Sequence, residues 1–221
     1  MRSIYATILQ MMRFIDIFLH LDKYLTGAVQ NYGNFLYAIL FLVIFCETGV
    51  VATPFLPGDS LLFAVGAIAA SVNSFNIWYL FLVISVAAII GDSVNYSIGN
   101  YLGAKAFANP DSKIFKKEYL VETEAFYEKY GSRAVVLGRF FPIIRTFIPF
   151  VAGVGKMNYA KFIANNALGG ILWTAIFLLG GFFFGNIQIV KENFTLVIFG
   201  IIVLSIMPAF YHVIKSRLVK A

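Results

Sequence analysis

The chain has 221 residues, of which 60% are hydrophobic, and its mean hydropathy is +0.83. About half of a soluble domain is apolar, so this composition excludes an ordinary soluble protein and predicts an integral membrane protein. The formal net charge is +6, but most of the lysines fall in one loop and in the tail rather than along one helix face, which favours an anionic lipid partner over nucleic acid. The single cysteine, Cys46, cannot form an internal disulfide, and with only two histidines in the chain we expect no metal and no cofactor.

Residues 1–31 predict an amphipathic helix that lies on the membrane surface. Their apolar side chains recur at helical spacing, and the charged ones fall elsewhere on the helix. The segment has neither an uninterrupted apolar run nor a small-residue cleavage site, so we do not expect a signal peptide.

The apolar stretch that follows is too long for one membrane span and is interrupted in its middle. Pro54 and Pro57 break a helix, Gly58 permits unusual backbone angles, and Glu47 and Asp59 place negative charge on either side of the break. This pattern predicts a first helical hairpin with its tip at the prolines.

A first span is predicted at Phe75–Gly103, because about twenty apolar residues cross the roughly 30 Å hydrocarbon core of a membrane. Asp92, Asn95 and Tyr96 lie on one stripe of this helix. Either they line a cavity, or they make satisfied polar contacts between helices.

Residues 104–129 are polar and predict the main extramembrane loop, which contains an amphipathic helix. Its lysines favour the cytoplasmic side. Residues 186–221 predict a last span and a basic tail, which return the chain to the same side. If each hairpin returns to the face it came from, the N-terminus falls on the opposite side, which its own basic residues do not favour, so the sequence leaves that side open.

A second hairpin is predicted in residues 130–159, which are apolar and yet carry Arg139 and Arg145 with Pro142 and Pro149 between and beyond them. A guanidinium at the bilayer centre costs about 2.5 to 3.5 kcal/mol, so such a group faces a protein interior or a water-filled cavity. A broken helix is tolerated in those same places. We therefore expect a re-entrant hairpin whose tip, at its prolines, presents both arginines to a polar cavity inside the membrane.

The sequence supports three further predictions. Arg133, near its entrance, is either an interfacial anchor or a cavity-lining residue that guides a headgroup inward. The segment Tyr159–Gly185 predicts a second span. Trp78 and Trp173 are expected to be packing or membrane-interface aromatics.

The two halves of the chain share one order of features. Each runs from a Tyr-Gly pair through an apolar run, a charged residue and a tip with two prolines to a span that ends in small-xxx-small, namely Gly99 with Gly103 and Gly181 with Gly185. An odd number of crossings separates the halves, so the hairpins enter from opposite faces, as in the inverted repeats of many secondary transporters. The predicted fold is an all-α integral membrane protein with two opposed re-entrant helical hairpins in an inverted repeat, about three transmembrane helices and amphipathic helices. Its single polytopic domain, 1–221, divides into 1–31, 32–103, 104–129, 130–185 and 186–221.

Three stretches of the sequence are similar to one family. FCETGVVATPFLPGDSLLFAVGAIA, GDSVNYSIGNYLG and GRFFPIIRTFIPFVAGVGKMNYAKF, with Trp173 after them, resemble the DedA family of bacterial membrane proteins, which is related to the eukaryotic VTT-domain lipid scramblases. The resemblance covers residues 32–185. It implies a multi-pass protein of the bacterial cytoplasmic (inner) membrane that transports lipid across the bilayer, with undecaprenyl phosphate or a related anionic lipid phosphate as the substrate.

The same resemblance implies functional roles for two acids, Glu47 and Asp59, and for two arginines, Arg139 and Arg145. If the hairpins meet, these four charges pair and sum to zero, whereas unpaired they would cost on the order of 10 kcal/mol in the membrane. Either the pairs are only structural, or the arginines bind a lipid phosphate through bidentate hydrogen bonds and the acids compete for them when the site is empty. Protonation of an acid would then release an arginine and couple transport to protons.

Other functions would use parts of the same site. A phospholipid scramblase would move lipids without a driving force, a proton-coupled ion transporter or channel would need only the carboxylates, and a lipid-phosphate hydrolase would hold phosphate with the arginines. Hydrolysis needs a nucleophile or activated water with an acid-base partner, and His20 and His212 lie in the terminal segments, far in sequence from the arginines. We therefore expect a lipid transporter or flippase and not an enzyme. The sequence determines neither the lipid, nor the driving force, nor the oligomeric state.

Overall fold

A computed structural model describes residues 34–49, 58–71, 75–103, 117–185, 187–193, 196–197 and 199–201. Every regular element within these residues is helical, so the all-helical prediction is confirmed for this part of the chain. The predicted N-terminal helix 1–31, the tip prolines Pro54 and Pro57, and most of the predicted last span lie outside the described residues.

The first half contributes two short helices and one long one: α1 Phe35–Gly49, α2 Gly58–Ser71 and α3 Ile77–Leu102. With 15 and 14 residues, α1 and α2 are each about 21 to 22 Å long, too short to cross a hydrocarbon core of about 30 Å alone. The 26 residues of α3 are enough to cross it. Glu47 lies in the last turn of α1 and Asp59 in the first turn of α2, so both acids stand at helix ends.

The ends of α3 follow from their residue types. Asn76 begins the helix, because its side chain accepts hydrogen bonds from the backbone N–H of Trp78 at 2.9 Å and of Tyr79 at 3.2 Å. Gly103 ends it with a φ of 56°, in the left-handed region that glycine adopts readily. The predicted span 75–103 thus contains a helix that is long and apolar enough to cross a membrane. Gly103 terminates the helix rather than packing against a neighbour in the described part of the chain, where a Cβ added to it meets nothing within 4 Å.

The extramembrane loop carries α4, Lys117–Tyr130, as its sequence predicts. The chain then forms a 3-10 turn at Gly131–Arg133, a single helical turn α5 at Ala134–Leu137, and a second 3-10 turn at Gly138–Phe140. The first arm of the second hairpin is therefore short and irregular, unlike the continuous helix α1.

The second arm of this hairpin is α6, Pro142–Val154. Phe141 before it is extended, with φ −112° and ψ 107°, as a residue that precedes proline prefers, and Pro142 occupies the first helical turn, where its missing N–H is not needed. Pro149 lies inside α6, so the prediction that it belongs to the tip is wrong. A proline inside a helix removes one hydrogen bond, here the one to the carbonyl of Arg145, and the burial of the surrounding turns of α6 maintains the helix.

A second long helix runs from Tyr159 to Phe184 and, like α3, is apolar and long enough to cross a membrane. It consists of α7 Tyr159–Thr174, a π-helical turn Ala175–Leu179 and α8 Gly180–Phe184. This helix coincides with the predicted span 159–185 to within one residue. A short helix, α9 Gln188–Glu192, follows it.

The two halves pack through a recurring glycine contact. α3 lies against α1, α6 and α7, while α2 packs on the π-helical turn and on α8, so the second arm of each hairpin packs on the long helix of the other half. In both places a glycine of one helix lies against a backbone carbonyl of the other, and a second glycine returns the contact. The contacts are Gly99 with the Phe150 carbonyl and Gly153 with the Tyr96 carbonyl, and likewise Gly181 with the Phe63 carbonyl and Gly66 with the Leu178 carbonyl.

A methyl group added at Gly153 or Gly181 would collide with the facing backbone. We expect Gly153→Ala and Gly181→Ala each to lower the free energy of unfolding by about 1 to 3 kcal/mol. Gly180→Ala is the matched control, because Gly180 begins α8 and a Cβ added there meets nothing within 4 Å. Thermal unfolding of the purified protein in detergent measures the difference, and equal unfolding temperatures for all three variants would contradict the close packing.

Candidate functional site

Arg145, in the first turn of α6, joins the two helix ends of the first hairpin. Its Nη1 donates to Asp59 Oδ1 at 2.7 Å and its Nη2 donates to Glu47 Oε1. The Glu47 carboxylate is buried and lies so close to Gly58 that a side chain at that position would collide with it. The end of α1 and the start of α2 are thus held together by one guanidinium from the other half of the chain.

Arg139, at the end of the irregular arm, forms a second cluster with the long helices. Its Nη2 donates to Asp92, to Asn166 Oδ1 at 2.7 Å and to the Ala88 carbonyl at 3.4 Å. The Asn166 amide is itself held by a 3.0 Å hydrogen bond to the Ile89 carbonyl. This cluster therefore ties the second hairpin to α3 and α7.

The predicted pairing is wrong for Arg139, because its charge partner is Asp92 rather than Glu47 or Asp59. Arg139 lies before the turn at Phe141, and its side chain faces the long helices instead of the first hairpin. The charges therefore do not sum to zero. Three carboxylates against two guanidinium groups leave one negative charge when all are ionised.

Arg139 uses only part of its hydrogen-bonding capacity. All of its hydrogen bonds within the described residues come from Nη2, while the buried Nε and Nη1 have no partner there. Gly169 and Gly170 leave room beside the guanidinium, since a Cβ at either position would lie 3.4 to 3.6 Å from it or from its Cδ. Arg145, in contrast, donates from both Nη1 and Nη2 to carboxylates.

Trp173 lies between the two clusters and is 1% exposed. Its Nε1 donates to Asp59 Oδ1 at 2.9 Å. The ring lies 5.5 Å from the Arg145 guanidinium carbon and 6.0 Å from that of Arg139, within the range of a cation–π interaction. Its position identifies it as a polar member of the site and not only as a packing aromatic.

A small cavity separates the clusters. Its volume is about 10 Å³, enough for roughly one water molecule and far too small for a phosphate. It is lined by Thr48, Asp92, Arg139, Arg145, Thr146 and Trp173. The charged groups are therefore closed on one another in this structure.

Asn95 and Tyr96 make contacts between helices on the same face of α3 as Asp92. Asn95 Nδ2 donates to the Thr48 carbonyl at 3.2 Å and to the Thr146 carbonyl at 2.8 Å, which links α1 to α6. The Tyr96 hydroxyl donates to the Met157 carbonyl. Of the three polar residues predicted on this stripe, only Asp92 lines the cavity.

Two residues near the extramembrane side complete the surroundings of the site. Arg133 is exposed on its 3-10 turn, away from the two clusters. The Tyr127 hydroxyl donates to the Ile148 carbonyl at 3.0 Å, which attaches α4 to α6. Burial raises the pKa of the Tyr127 phenol, so it remains a donor to this carbonyl.

Comparison with known proteins identifies the family. A VTT domain matches residues 56–183, and Protein DedA of Escherichia coli (strain K12) is 51% identical over 204 residues, which cover 92% of this chain and 93% of that protein. The chain belongs to the DedA family. An uncharacterized membrane protein of Mycobacterium tuberculosis is 40% identical over 84% of this chain and 82% of its own length. Inner membrane protein YqjA of Escherichia coli is 32% identical over 73% of each, and no solved structure matches.

This membership makes the protein a DedA-family, multi-pass protein of the inner membrane. The names of these three relatives state neither an enzymatic activity nor a transported substrate. Among the residues that the structure describes, no group of three or more His, Cys, Asp or Glu residues is placed to hold a metal ion.

Sequence reasoning missed two members of this DedA-family site, Asn166 and Trp173. Asn166 is a buried amide within an apolar span, and a polar residue in such a span is itself a signal of a functional or interhelical contact. Trp173 lies about two helical turns further along the same helix. For both residues, the available signal in the sequence was a side chain with a hydrogen-bond donor inside an apolar span rather than at its ends.

We expect Asp92→Asn to destabilise the DedA-family fold by about 3 to 5 kcal/mol, because it leaves the buried Arg139 charge without its carboxylate. The double variant Asp92→Asn with Arg139→Gln removes both charges and should cost less than the sum of the two single changes. Chemical unfolding of the four proteins in detergent measures this coupling. Additive effects would mean that the two groups do not stabilise each other.

Proposed function

We propose that this protein transports an anionic lipid phosphate across the inner membrane, with Arg139 and Arg145 as the phosphate-binding residues. The observation that carries the proposal is the buried Arg139 guanidinium, whose Nε and Nη1 lack partners among the described residues while a carboxylate holds its Nη2. A buried cation with unused donors is suited to an anionic ligand with several acceptor oxygens. Undecaprenyl phosphate is the lipid that the family resemblance favours.

The proposed route is a pair of opposed re-entrant hairpins that meet at the charged clusters. Its support is the shortness of α1, α2 and α6, none of which reaches across the hydrocarbon core alone, and the matching glycine contacts of the two halves. In an inverted repeat, discontinuous helices meet near the membrane midplane and form the substrate site there. The two arginines would then lie near the centre of the bilayer.

Phosphate binding requires the charged groups to separate. The cavity between the clusters has a volume of about 10 Å³, so a phosphate fits only after the arginines move away from their carboxylates. Each phosphate oxygen can replace a carboxylate oxygen as the acceptor for a guanidinium N–H. The acids therefore compete with the substrate and keep the site closed when no lipid is bound.

In the proposed mechanism, a carboxyl group binds a proton when its arginine exchanges it for phosphate. The three carboxylates already exceed the two guanidinium groups by one negative charge, and a phosphate adds more. A net charge in a low-dielectric site is costly, so binding favours protonation of a released carboxyl group, Glu47 or Asp59 among them. The proposed transport is thereby coupled to protons. A scramblase would move lipid through the same site without this dependence.

Lysine should replace neither arginine in transport. Arg139→Lys and Arg145→Lys keep the charge but lose the planar fork that binds two oxygens at once, so we expect a loss of transport of at least tenfold, or about 1.4 kcal/mol. Transport of labelled undecaprenyl phosphate in proteoliposomes, with phosphatidylglycerol as the control lipid, measures this loss. Normal transport by both variants would leave the arginines as structural counter-ions. Release of inorganic phosphate from the lipid would indicate a hydrolase instead.

The acids should determine the response to pH. Glu47→Gln and Asp59→Asn remove a charge with little change of shape, so folded variants should still bind lipid phosphate but lose the increase in transport that a pH gradient drives. Binding and transport are measured separately, with and without the gradient. An unchanged gradient response in both variants would contradict coupling through these acids, and wild-type transport that ignores the gradient would favour the scramblase.

Cysteine labelling tests the opposed hairpins. In a protein whose own Cys46 is replaced by alanine, single cysteines next to Pro57 and next to Pro142 should react slowly with a water-soluble maleimide, because each tip lines a cavity rather than facing lipid. Fast labelling of both positions from one side of the membrane would contradict the inverted arrangement. Complete protection of both would contradict the cavity.

A further inference from the structure

A groove of about 710 Å³ runs between the two long helices, α3 and α7. On α3 it extends from Ile89 to Leu102, a distance of about 20 Å at 1.5 Å per residue. The α3 side chains Ile90, Val94 and Ile98, which line it, are 43%, 38% and 39% exposed. Apolar side chains exposed on a membrane-spanning helix face hydrocarbon, so the groove opens toward the lipid.

The surface of the groove is chemically apolar despite two serines. Ser93 Oγ donates to the Ile89 carbonyl at 2.7 Å and Ser97 Oγ donates to the Ser93 carbonyl at 2.8 Å. Each hydroxyl proton is therefore used within the helix. The small serine side chains leave space where larger ones would fill the groove, and they do so without offering a hydrogen-bond donor to its occupant.

At its inner end the groove is lined by Ile89, and Gly170 lies between Ile89 and Arg139. A Cβ added at Gly170 would be 3.1 Å from Ile89 Cγ1 and 3.4 Å from Arg139 Nη1, an N–H group that has no partner in the described part of the chain. The hydrogen bond from Asn166 to the Ile89 carbonyl holds α7 against α3 at this point. One glycine thus separates this end of the groove from Arg139, the residue proposed to bind phosphate.

The outer end of the groove lies at the C-terminal end of α3 and the N-terminal end of α7. Tyr101 is 90% exposed and Tyr159 is 48% exposed, and both line the groove there. Tyrosine is typical of the boundary between hydrocarbon and headgroups. The groove therefore extends from the level of the charged cluster to the membrane surface on the side of α4.

We propose that this groove holds the hydrocarbon chain of a lipid whose phosphate is bound at Arg139. The proposal rests on the proposed function and adds a binding site for the other end of the same lipid. A lipid chain gains little by leaving the bilayer for an apolar protein surface, because the two are similarly apolar. The groove accordingly contributes position rather than affinity: it keeps the chain in hydrocarbon while the phosphate reaches the buried guanidinium.

Photo-crosslinking in nanodiscs of phosphatidylcholine tests this site. The probe is a single-chain prenyl phosphate with a diazirine near the end of its chain, and the labelled peptides are identified by mass spectrometry. We expect saturable labelling concentrated on residues 89–102, which an excess of unlabelled prenyl phosphate suppresses several-fold and the corresponding prenyl alcohol does not. The alcohol has the same chain but no phosphate for Arg139.

Two substitutions on α3 provide a matched pair. Ser97→Phe fills the middle of the groove and should reduce the labelling there several-fold. Val86→Phe adds the same side chain at an exposed position of α3 outside the groove, so it should leave the labelling unchanged. Ser97→Leu serves as a smaller obstruction if the phenylalanine variant does not fold.

Binding of the headgroup is followed separately by tryptophan emission. The chain has two tryptophans, so Trp78→Phe leaves Trp173, between the arginines, as the only reporter. Geranyl phosphate, whose chain is short, should change this emission equally in the Ser97→Phe and wild-type backgrounds.

Labelling that spreads over the lipid-facing surface without competition, or that persists in Ser97→Phe, would overturn the chain site while the emission response upholds the phosphate site. If no protein responds to geranyl phosphate and the alcohol competes as well as the phosphate, the proposed function fails and the link between groove and Arg139 fails with it.

Discussion

The structure depends on the cost of placing charge in an apolar surrounding. Five ionisable side chains lie at the meeting point of the helices, and each is within hydrogen-bond distance of an opposite charge. An isolated charge there would cost several kcal/mol, whereas removing one partner of a buried pair costs about 3 to 5 kcal/mol. The broken helices serve this requirement. Glu47, Asp59, Arg139 and Arg145 all stand at or near helix ends, so the ion pairs require those ends to meet.

Two kinds of contact hold the halves together: glycine contacts between helix backbones and ion pairs between side chains. The glycine contacts between α6 and α3, and between α2 and the second long helix, bring backbones together with no side chain between them. Such contacts are sensitive to any added volume and cannot be exchanged for contacts with a ligand. The ion pairs are different, because under the proposed function a phosphate oxygen replaces a carboxylate oxygen. The fold therefore combines rigid contacts between helix backbones with the ion pairs that the proposed function requires to exchange.

The sequence predicted features that depend on neighbouring residues in the chain, such as helix length and helix breaks. It did not predict features that depend on the direction in which a side chain points, such as the partner of Arg139. Span length predicted both long helices, and prolines among charges predicted the break before α6, since neither feature depends on distant residues. The partner of Arg139 was not predictable in this way. Arg139 and Arg145 are six residues apart, but a 3-10 turn, an extended Phe141 and a new helix lie between them, so their side chains point to different helices. Pro149 was assigned to the tip because proline is unfavourable in a helix, and the packing of α6 overrides that preference.

The π-helical turn explains how a tryptophan reaches the site from the second long helix. In α3, Asp92 and Tyr96 are four residues apart and lie on one face of the helix. On that face the Asp92 carboxylate pairs with Arg139, and the Tyr96 carbonyl packs against Gly153. In the second long helix, Trp173 and Leu178 are five residues apart and make the equivalent contacts. Trp173 donates a hydrogen bond to Asp59, and Gly66 packs against the Leu178 carbonyl. A regular α-helix would turn these two residues to different faces, but a π-helical turn, with its i to i+5 hydrogen bonds, brings them onto one. Each long helix thereby holds a charged residue from the opposite half of the chain, and the extra residue in the second helix places the Leu178 carbonyl on the same face as Trp173.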